Sequence, residues 1–155
     1  MGEDCFVSTP EYPFTVTTLT GADGAFRIPK IDGVERLEVV HPAGWGNVAV
    51  AGRLGEAIRL QPWGHISGVV ASGQSALAGV EVQATAAGTK PEQMLFEFST
   101  RSDADGHFEF PKVPAGLARV SVLATEGAQA TGNAIQEIRV VPGRAVDLSL
   151  SLPTR

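Results

Sequence analysis

Cysteine, tyrosine and charge are scarce in this chain of 155 residues, which has one cysteine, one tyrosine and 19% charged residues. The single thiol, Cys5, excludes an internal disulfide and cannot alone form a thiolate metal site. With a formal net charge of -5, the chain offers no basic surface for a phosphate backbone, so we expect no nucleic-acid partner. No apolar run approaches membrane-spanning length, so we expect no membrane span.

The start of the chain carries no targeting signal that the sequence reveals. Residues 1–4, Met-Gly-Glu-Asp, provide neither the basic segment nor the apolar core of a signal peptide. Two alternatives therefore stay open at this point: the chain is cytosolic, or its start has been cut away, and Met1 need not be the natural first residue.

Glycine and proline are abundant, with 18 and 10 residues, and they separate short runs of Val, Ile, Leu and Phe. This spacing is typical of turns between short strands rather than of helices. We therefore expect almost pure β structure.

One segment of the chain occurs twice, because residues 14–31 recur as 96–113. Positions of surface type differ between the copies, whereas turn and core positions are kept. The repeat therefore indicates a common scaffold rather than a catalytic site. The shared positions are Phe14 with Phe96, Thr18 with Thr100, Asp23-Gly24 with Asp105-Gly106, Phe26 with Phe108, and Pro29-Lys30 with Pro111-Lys112.

The second copy contains seven segments that alternate like strands. In the last of them every second residue from Val146 to Leu152 is aliphatic and the intervening ones are polar, which predicts a half-buried antiparallel strand. Seven short strands joined by glycine-containing turns predict a two-sheet β-sandwich of immunoglobulin-like or prealbumin-like type. The predicted strands are 65–71, 80–85, 94–101, 107–113, 117–124, 135–141 and 146–152.

The first copy is shorter, and its strands match only the last five strands of the second copy. We therefore predict an all-β protein with tandem antiparallel sandwiches, in which 1–62 is a truncated sandwich without its first two strands and 63–155 is a complete seven-stranded one. The exposed edge of the first sandwich needs protection by another segment. From the short join at 61–64 we expect a stiff pair. The predicted strands are 14–20, 25–31, 36–41, 47–51 and 56–60.

A family resemblance rests on three stretches: Ser102 to Phe110 with its Asp-Ala-Asp-Gly turn, Val113 to Gly116, and Leu77 to Val82. They resemble the carboxypeptidase regulatory-like domain, a prealbumin-like β-sandwich that is similar to the Cna B-type repeats of bacterial surface proteins. The resemblance covers 65–152 well and 14–60 partly. It implies a mostly non-catalytic accessory module, joined to neighbouring domains of one polypeptide, in a bacterial protein that is extracellular or part of the cell envelope.

Three other patterns are candidates for chemistry, and each has a simpler structural interpretation. Asp103 to Gly106 begins like a calcium-binding loop, but a strand follows it, which favours a hairpin turn with positive φ at Gly106. The histidines, His41, His65 and His107, lack the close same-face spacing of a zinc site. Ser75 lacks the closing glycine of a nucleophile elbow. We predict no catalytic residue, no metal and no cofactor.

The two tryptophans are the candidate ligand-binding residues. Trp45 lies in a predicted glycine-rich loop and Trp63 lies at the join, and an exposed aromatic face can stack on a sugar ring. The alternative for both is packing, with Trp45 at the end of one core and Trp63 in the seam between sandwiches. We favour a structural spacer or interaction module. The second hypothesis is a binding module for a polysaccharide or an envelope protein, in particular a carbohydrate-binding module that recognises polysaccharide through exposed aromatics.

Overall fold

The computed structural model describes residues 5–8, 16–29, 32–50, 57–86, 96–123 and 132–153. In these residues the chain forms twelve strands and no helix, which confirms the predicted all-β class. The strands belong to two compact units, Met1–Pro62 and Trp63–Arg155. The described ranges contain no helix that is long and apolar enough to span a bilayer.

The described residues of the first unit form a four-stranded antiparallel sheet made of β1 (Phe6–Ser8), β2 (Thr17–Leu19), β3 (Arg36–His41) and β4 (Gly44–Ala49). The order is β2-β1-β3-β4, so the three-residue strand β1 has a neighbour on each side. Val7 of β1 is fully buried and pairs with Thr18 on one side and Val39 on the other. This short strand therefore holds the middle of the sheet.

The second unit contains two sheets built from β5 (Gly64–Ser72), β6 (Ser75–Ala76), β7 (Glu81–Ala86), β8 (Phe96–Arg101), β9 (His107–Val113), β10 (Gly116–Leu123), β11 (Asn133–Val140) and β12 (Ala145–Leu152). One sheet has the order β11-β10-β7-β8 and is antiparallel. In the other sheet β5 is central, with β12 on one edge and both β9 and β6 on the opposite edge. Strand β5 therefore holds the second sheet together.

Alternate residues of these strands point into one apolar core. On β12, Leu148, Leu150 and Leu152 are buried while the residues between them are exposed. Phe108 and Phe110 meet edge to face, with ring centroids 6.0 Å apart. Burial of side chains of this size stabilises the fold by about 1.5–3 kcal/mol each. The buried set draws on both sheets and includes Ile66, Val70, Val82, Ala84, Val113, Ala118, Val120, Val122, Ile138 and Val140.

The direction of β12 is the main difference from the predicted second sandwich. All seven predicted strands begin and end within two residues of an observed strand, and the predicted alternation of β12 is present. However, β12 pairs parallel with β5, so the prediction of an antiparallel strand is wrong. The alternation of apolar and polar residues shows that one face of the strand is buried, but it does not show whether the neighbouring strand runs parallel or antiparallel. Strand β11 ends in the other sheet, and β12 enters beside β5.

Two of the predicted strands of the first unit are not strands where the structure describes them. Residues 25–29 and 57–60 have no strand geometry. The predicted strand 47–51 is instead β4, which begins at Gly44. The prediction that both opening strands are missing is also wrong, because β1 provides one of them. Residues 14–15, 30–31, 51 and 56 of the predicted strands lie outside the described residues.

The sheet of the first unit corresponds strand by strand to the β11-β10-β7-β8 sheet of the second. In this correspondence β2, β1, β3 and β4 take the places of β8, β7, β10 and β11. Val7 pairs with Thr18 and Val39, and Val82 pairs with Thr100 and Val122. Strand β1 is thus the counterpart of β7. No described residue of the first unit corresponds to the central strand β5.

Candidate functional site

The most exact likeness between the two units is a tight turn. In the second unit the Asp103 N–H donates to the His107 carbonyl at 2.8 Å, and the Gly106 N–H donates to the Asp103 carbonyl at 3.1 Å. In the first unit the Gly21 N–H donates to the Ala25 carbonyl at 2.8 Å, and the Gly24 N–H donates to the Gly21 carbonyl at 2.9 Å. The glycines have φ of 76° and 78°. The repeated sequence therefore encodes the same turn twice.

The turn at Gly106 has the predicted positive φ, but it is not a hairpin between paired strands. It joins β8 to β9, and these strands belong to different sheets. Asp103 Oδ1 accepts the N–H groups of Asp105 and His107, each at 2.9 Å. The Val70 N–H donates to the Gly106 carbonyl at 2.8 Å, which fixes the turn against β5. The carboxylate that resembled a calcium ligand thus organises the chain where it changes sheets.

Ser102 is a buried polar residue whose role the sequence does not predict. Its hydroxyl donates to the Leu77 carbonyl at 2.6 Å and accepts the Val80 N–H at 3.0 Å. These bonds tie the entrance of the turn to the loop before β7. The signal in the sequence is the hydroxyl that both copies keep, because the repeat aligns Thr20 with Ser102.

The three histidines have separate local partners. His41 Nδ1 accepts the Ala43 N–H at 3.0 Å, and His65 Nε2 lies 3.0 Å from Glu109 Oε1. The His107 N–H donates to Asp103 Oδ1. Among the described residues there is no group of three or more His, Cys, Asp and Glu side chains that could hold a metal ion.

Trp45 lies in a strand, so its prediction as a loop residue is wrong. It pairs with Val40 in the β3-β4 hairpin. The backbone N–H of Trp45 donates to the Gln61 carbonyl at 2.9 Å, and the backbone carbonyl of Trp45 accepts the Gln61 N–H at 2.7 Å. The glycines around it belong to the strand because residues 57–61 pass close by, with Gly46 facing Ile58 and Leu60. The indole is partly buried.

Trp63 is also partly buried and lies just before β5. Its carbonyl accepts the Gly143 N–H at 3.0 Å, so its backbone helps fix the turn that precedes β12. The structure places the two tryptophans in different units. A role for either one in binding a ligand stays a prediction.

A cavity of about 540 Å³ opens on the inner face of the first unit. Val7 and Val39 of the sheet line it, together with Phe26 and the segment that contains Ile58 and Leu60. Polar groups in its lining come from Cys5, Thr20 and His41. Burial raises the pKa of the Cys5 thiol, and a hydrogen bond with Thr20 opposes this shift. Sequence reasoning did not identify this cavity, although it predicted a truncated sandwich whose exposed edge needs protection by another segment.

The comparisons with known proteins place the second unit in a family. The sequence pattern of the carboxypeptidase regulatory-like domain matches residues 65–153. No curated protein sequence matches the chain.

Solved structures share the fold at low sequence identity. The TIE protein of Bacillus anthracis is 12% identical with a TM-score of 0.50, and the match covers 99% of this chain and 31% of that one. The minor pilin of Streptococcus agalactiae is 10% identical with a TM-score of 0.49, covering 100% and 84%. A Pseudomonas aeruginosa protein named as a candidate carbohydrate-binding protein is 14% identical with a TM-score of 0.42, covering 59% and 89%. These likenesses are to β-sandwich proteins.

Proposed function

The chain belongs to the carboxypeptidase regulatory-like domain family, and we propose that it serves as a non-catalytic structural spacer or interaction module of a larger extracytoplasmic bacterial protein. Its partners in this proposal are neighbouring domains of the same polypeptide. The observation that supports the proposal most directly is the pairing of β5 with β12, the first and last strands of the second unit.

Strands β5 and β12 are parallel and in continuous register from His65 opposite Ala145 to Ser72 opposite Leu152. Because they are parallel, the chain enters this sheet at one end and leaves it at the other. The eight pairs, at about 3.3 Å per residue, make a ladder about 26 Å long. The unit thus has the geometry of an end-to-end spacer.

The same pairing suits a unit that carries tension. A pull on the two ends acts along β5 and β12 in opposite directions, so it loads all the ladder hydrogen bonds together. A pull across the strands would break these bonds one after another. The parallel first and last strands therefore place the ladder in the stronger of the two loading directions.

The polar side chains of the repeated motif support a structural role rather than catalysis. The Ser102 hydroxyl and Asp103 Oδ1 are hydrogen-bonded to backbone groups of the same unit. A nucleophile or a general base needs a free atom within reach of a substrate. We therefore assign no enzymatic activity to this turn.

Single-molecule stretching of the full chain tests the spacer. One attachment uses the two ends of the chain, and the matched attachment uses His65→Cys with Ala145→Cys, which lie opposite each other at one end of the ladder; Cys5→Ser is present in both. We expect the second unit to unfold at a clearly higher force in the first geometry. Equal forces in the two geometries would overturn the proposal of a load-bearing ladder.

Polysaccharide binding through Trp45 or Trp63 is the alternative proposal, and the partial exposure of both residues supports it. Its test is retention of the full chain on insoluble cellulose, chitin and peptidoglycan. If the chain is only a spacer, none of these insoluble polymers should retain it. Retention that Trp45→Ala or Trp63→Ala removes, while the β-rich circular dichroism spectrum is unchanged, would favour the alternative.

A further inference from the structure

We propose that the first unit is an acceptor for one further β-strand, with aliphatic side chains on alternate residues and a small residue at its centre. The acceptor site is the cavity on the inner face of the first unit. This proposal concerns residues up to Pro62 only, so it stands or falls separately from the load-bearing ladder of the second unit.

The second unit shows what occupies the corresponding place. There β5 pairs antiparallel with β9 and parallel with β12, and its Ile66 and Val70 are fully buried in the core. The repeat aligns residues 25–29 of the first unit with the start of β9. Residues 57–60 are the last segment of the first unit, as β12 is the last strand of the second.

Among the described residues of the first unit, the backbone beside the cavity has no counterpart of β5. Within the described part of the first unit, no strand forms a ladder with residues 25–29 or 57–60. Residues 26–29 and 57–60 therefore form no strand ladder that would compete with the backbone hydrogen bonds of an added strand. We therefore expect the occupant to run antiparallel to 25–29 and parallel to 57–60.

The cavity lining indicates the chemistry of the occupant. Most of its described lining residues are apolar, and Asp, Glu, Lys and Arg are not among them. A strand that buried a charge there would lose hydration without gaining an opposite charge. Aliphatic side chains on every second residue would fill the cavity and keep the other face of the strand in water.

The central residue of the occupant has to be small. In the second unit Gly68 is paired with Phe108, and a Cβ on Gly68 would lie 2.6 Å from Phe108 Cζ. Phe26 is the repeat counterpart of Phe108 and lines the cavity. A bulky side chain opposite Phe26 would therefore meet the ring in the same way.

The experiment uses the full chain and a synthetic peptide with the sequence of Gly64–Ser72, Gly-His-Ile-Ser-Gly-Val-Val-Ala-Ser. The readout is the alkylation rate of Cys5, the single thiol of the chain, which lines the cavity. The matched control peptide carries leucine in place of its central glycine. Because the control changes the ligand and not the protein, misfolding cannot explain a difference.

We expect the peptide to protect Cys5 in a saturable way. At ten times its Kd about one-tenth of the chain is unoccupied, so the alkylation rate should fall about tenfold. The leucine peptide should leave the rate unchanged at the same concentration. Equal protection by both peptides, or protection by neither, would overturn the proposal.

A second copy of the chain is the competing occupant, and sedimentation distinguishes it. Without peptide, the chain should sediment as a monomer with a reactive Cys5. A dimer in which Cys5 is already protected would show that another copy of the chain fills the site, and would overturn the proposal that the acceptor is open in the chain by itself.

Discussion

The two units use the same turn but end in different structures beyond it. After Asp103–His107 the chain continues as strand β9, which is paired with β5. After Gly21–Ala25 the chain passes through residues 26–29 without strand geometry. The local sequences are alike, including Phe26 and Phe108 and the Pro-Lys that follows. The comparison teaches that a strand-like sequence becomes a strand only where a neighbour supplies the other half of the ladder.

The two turns also differ in how their side chains support them. In the second unit Asp103 accepts two backbone N–H groups, whereas Gly21 at the equivalent position has no side chain. In the first unit Asp23 Oδ1 accepts the Ala25 N–H at 3.0 Å. The same backbone hydrogen bonds are thus kept with different side-chain support, which shows that the turn is determined mainly by glycine and its backbone.

The largest predicted difference between the units comes from truncating the paired phenylalanines. Phe108→Ala should cost about 3–5 kcal/mol in the free energy of unfolding, because Phe108 is buried between both sheets. Phe26→Ala should cost much less, because its ring is partly exposed. Urea unfolding of each variant measures both costs. Similar values would mean that the first unit has a core as full as the second.

The next difference concerns the two turn glycines. Gly24→Ala and Gly106→Ala both place a side chain at positive φ, which costs about 1–3 kcal/mol. At Gly106 the new Cβ would also lie 2.5 Å from the Val70 carbonyl oxygen, whereas nothing lies within 4 Å at Gly24. Gly106→Ala should therefore lower the melting temperature more. The reverse order would contradict the docking of this turn on β5.

A smaller difference is expected for the shared hydroxyl. Ser102→Ala leaves the Val80 N–H without its buried acceptor, which costs about 1–3 kcal/mol. Thr20→Val should cost less, because Thr20 is only partly buried. Chemical denaturation of the two variants provides the measurement. An equal loss would show that Thr20 is as enclosed as Ser102.

The smallest effect is on the pKa of Cys5. Burial raises this pKa in the folded chain, so the folded state holds the thiol proton more tightly than the unfolded state does. The contribution of this thiol to the free energy of unfolding is complete below the pKa of Cys5 in the unfolded chain, and it is lost as the pH rises through the pKa of Cys5 in the folded chain. Alkylation at pH 8 should be slower in the folded chain than in urea. Thr20→Val should raise the Cys5 pKa further, because it removes the hydrogen bond that lowers it, and should slow alkylation of the folded chain further. Faster alkylation of this variant would contradict the hydrogen bond between Thr20 and Cys5.

The sequence by itself determined the parts of the protein that depend on local pattern. Alternation of apolar and polar residues predicts the strands of the second unit, because a strand places successive side chains on opposite faces. The repeated Asp-Gly pairs predict turns with positive φ, because glycine adopts this conformation without steric cost. The carboxypeptidase regulatory-like resemblance follows from these same residues.

Only the tertiary structure decided which strands become neighbours. It paired β12 parallel with β5, placed Trp45 in a strand and introduced β1 into the centre of the first sheet. It also left residues 25–29 and 57–60 without strand geometry and opened the cavity between them. None of this is encoded in local alternation, because hydrogen-bond partners come from distant parts of the chain and a strand's burial pattern is the same whichever neighbour pairs with it.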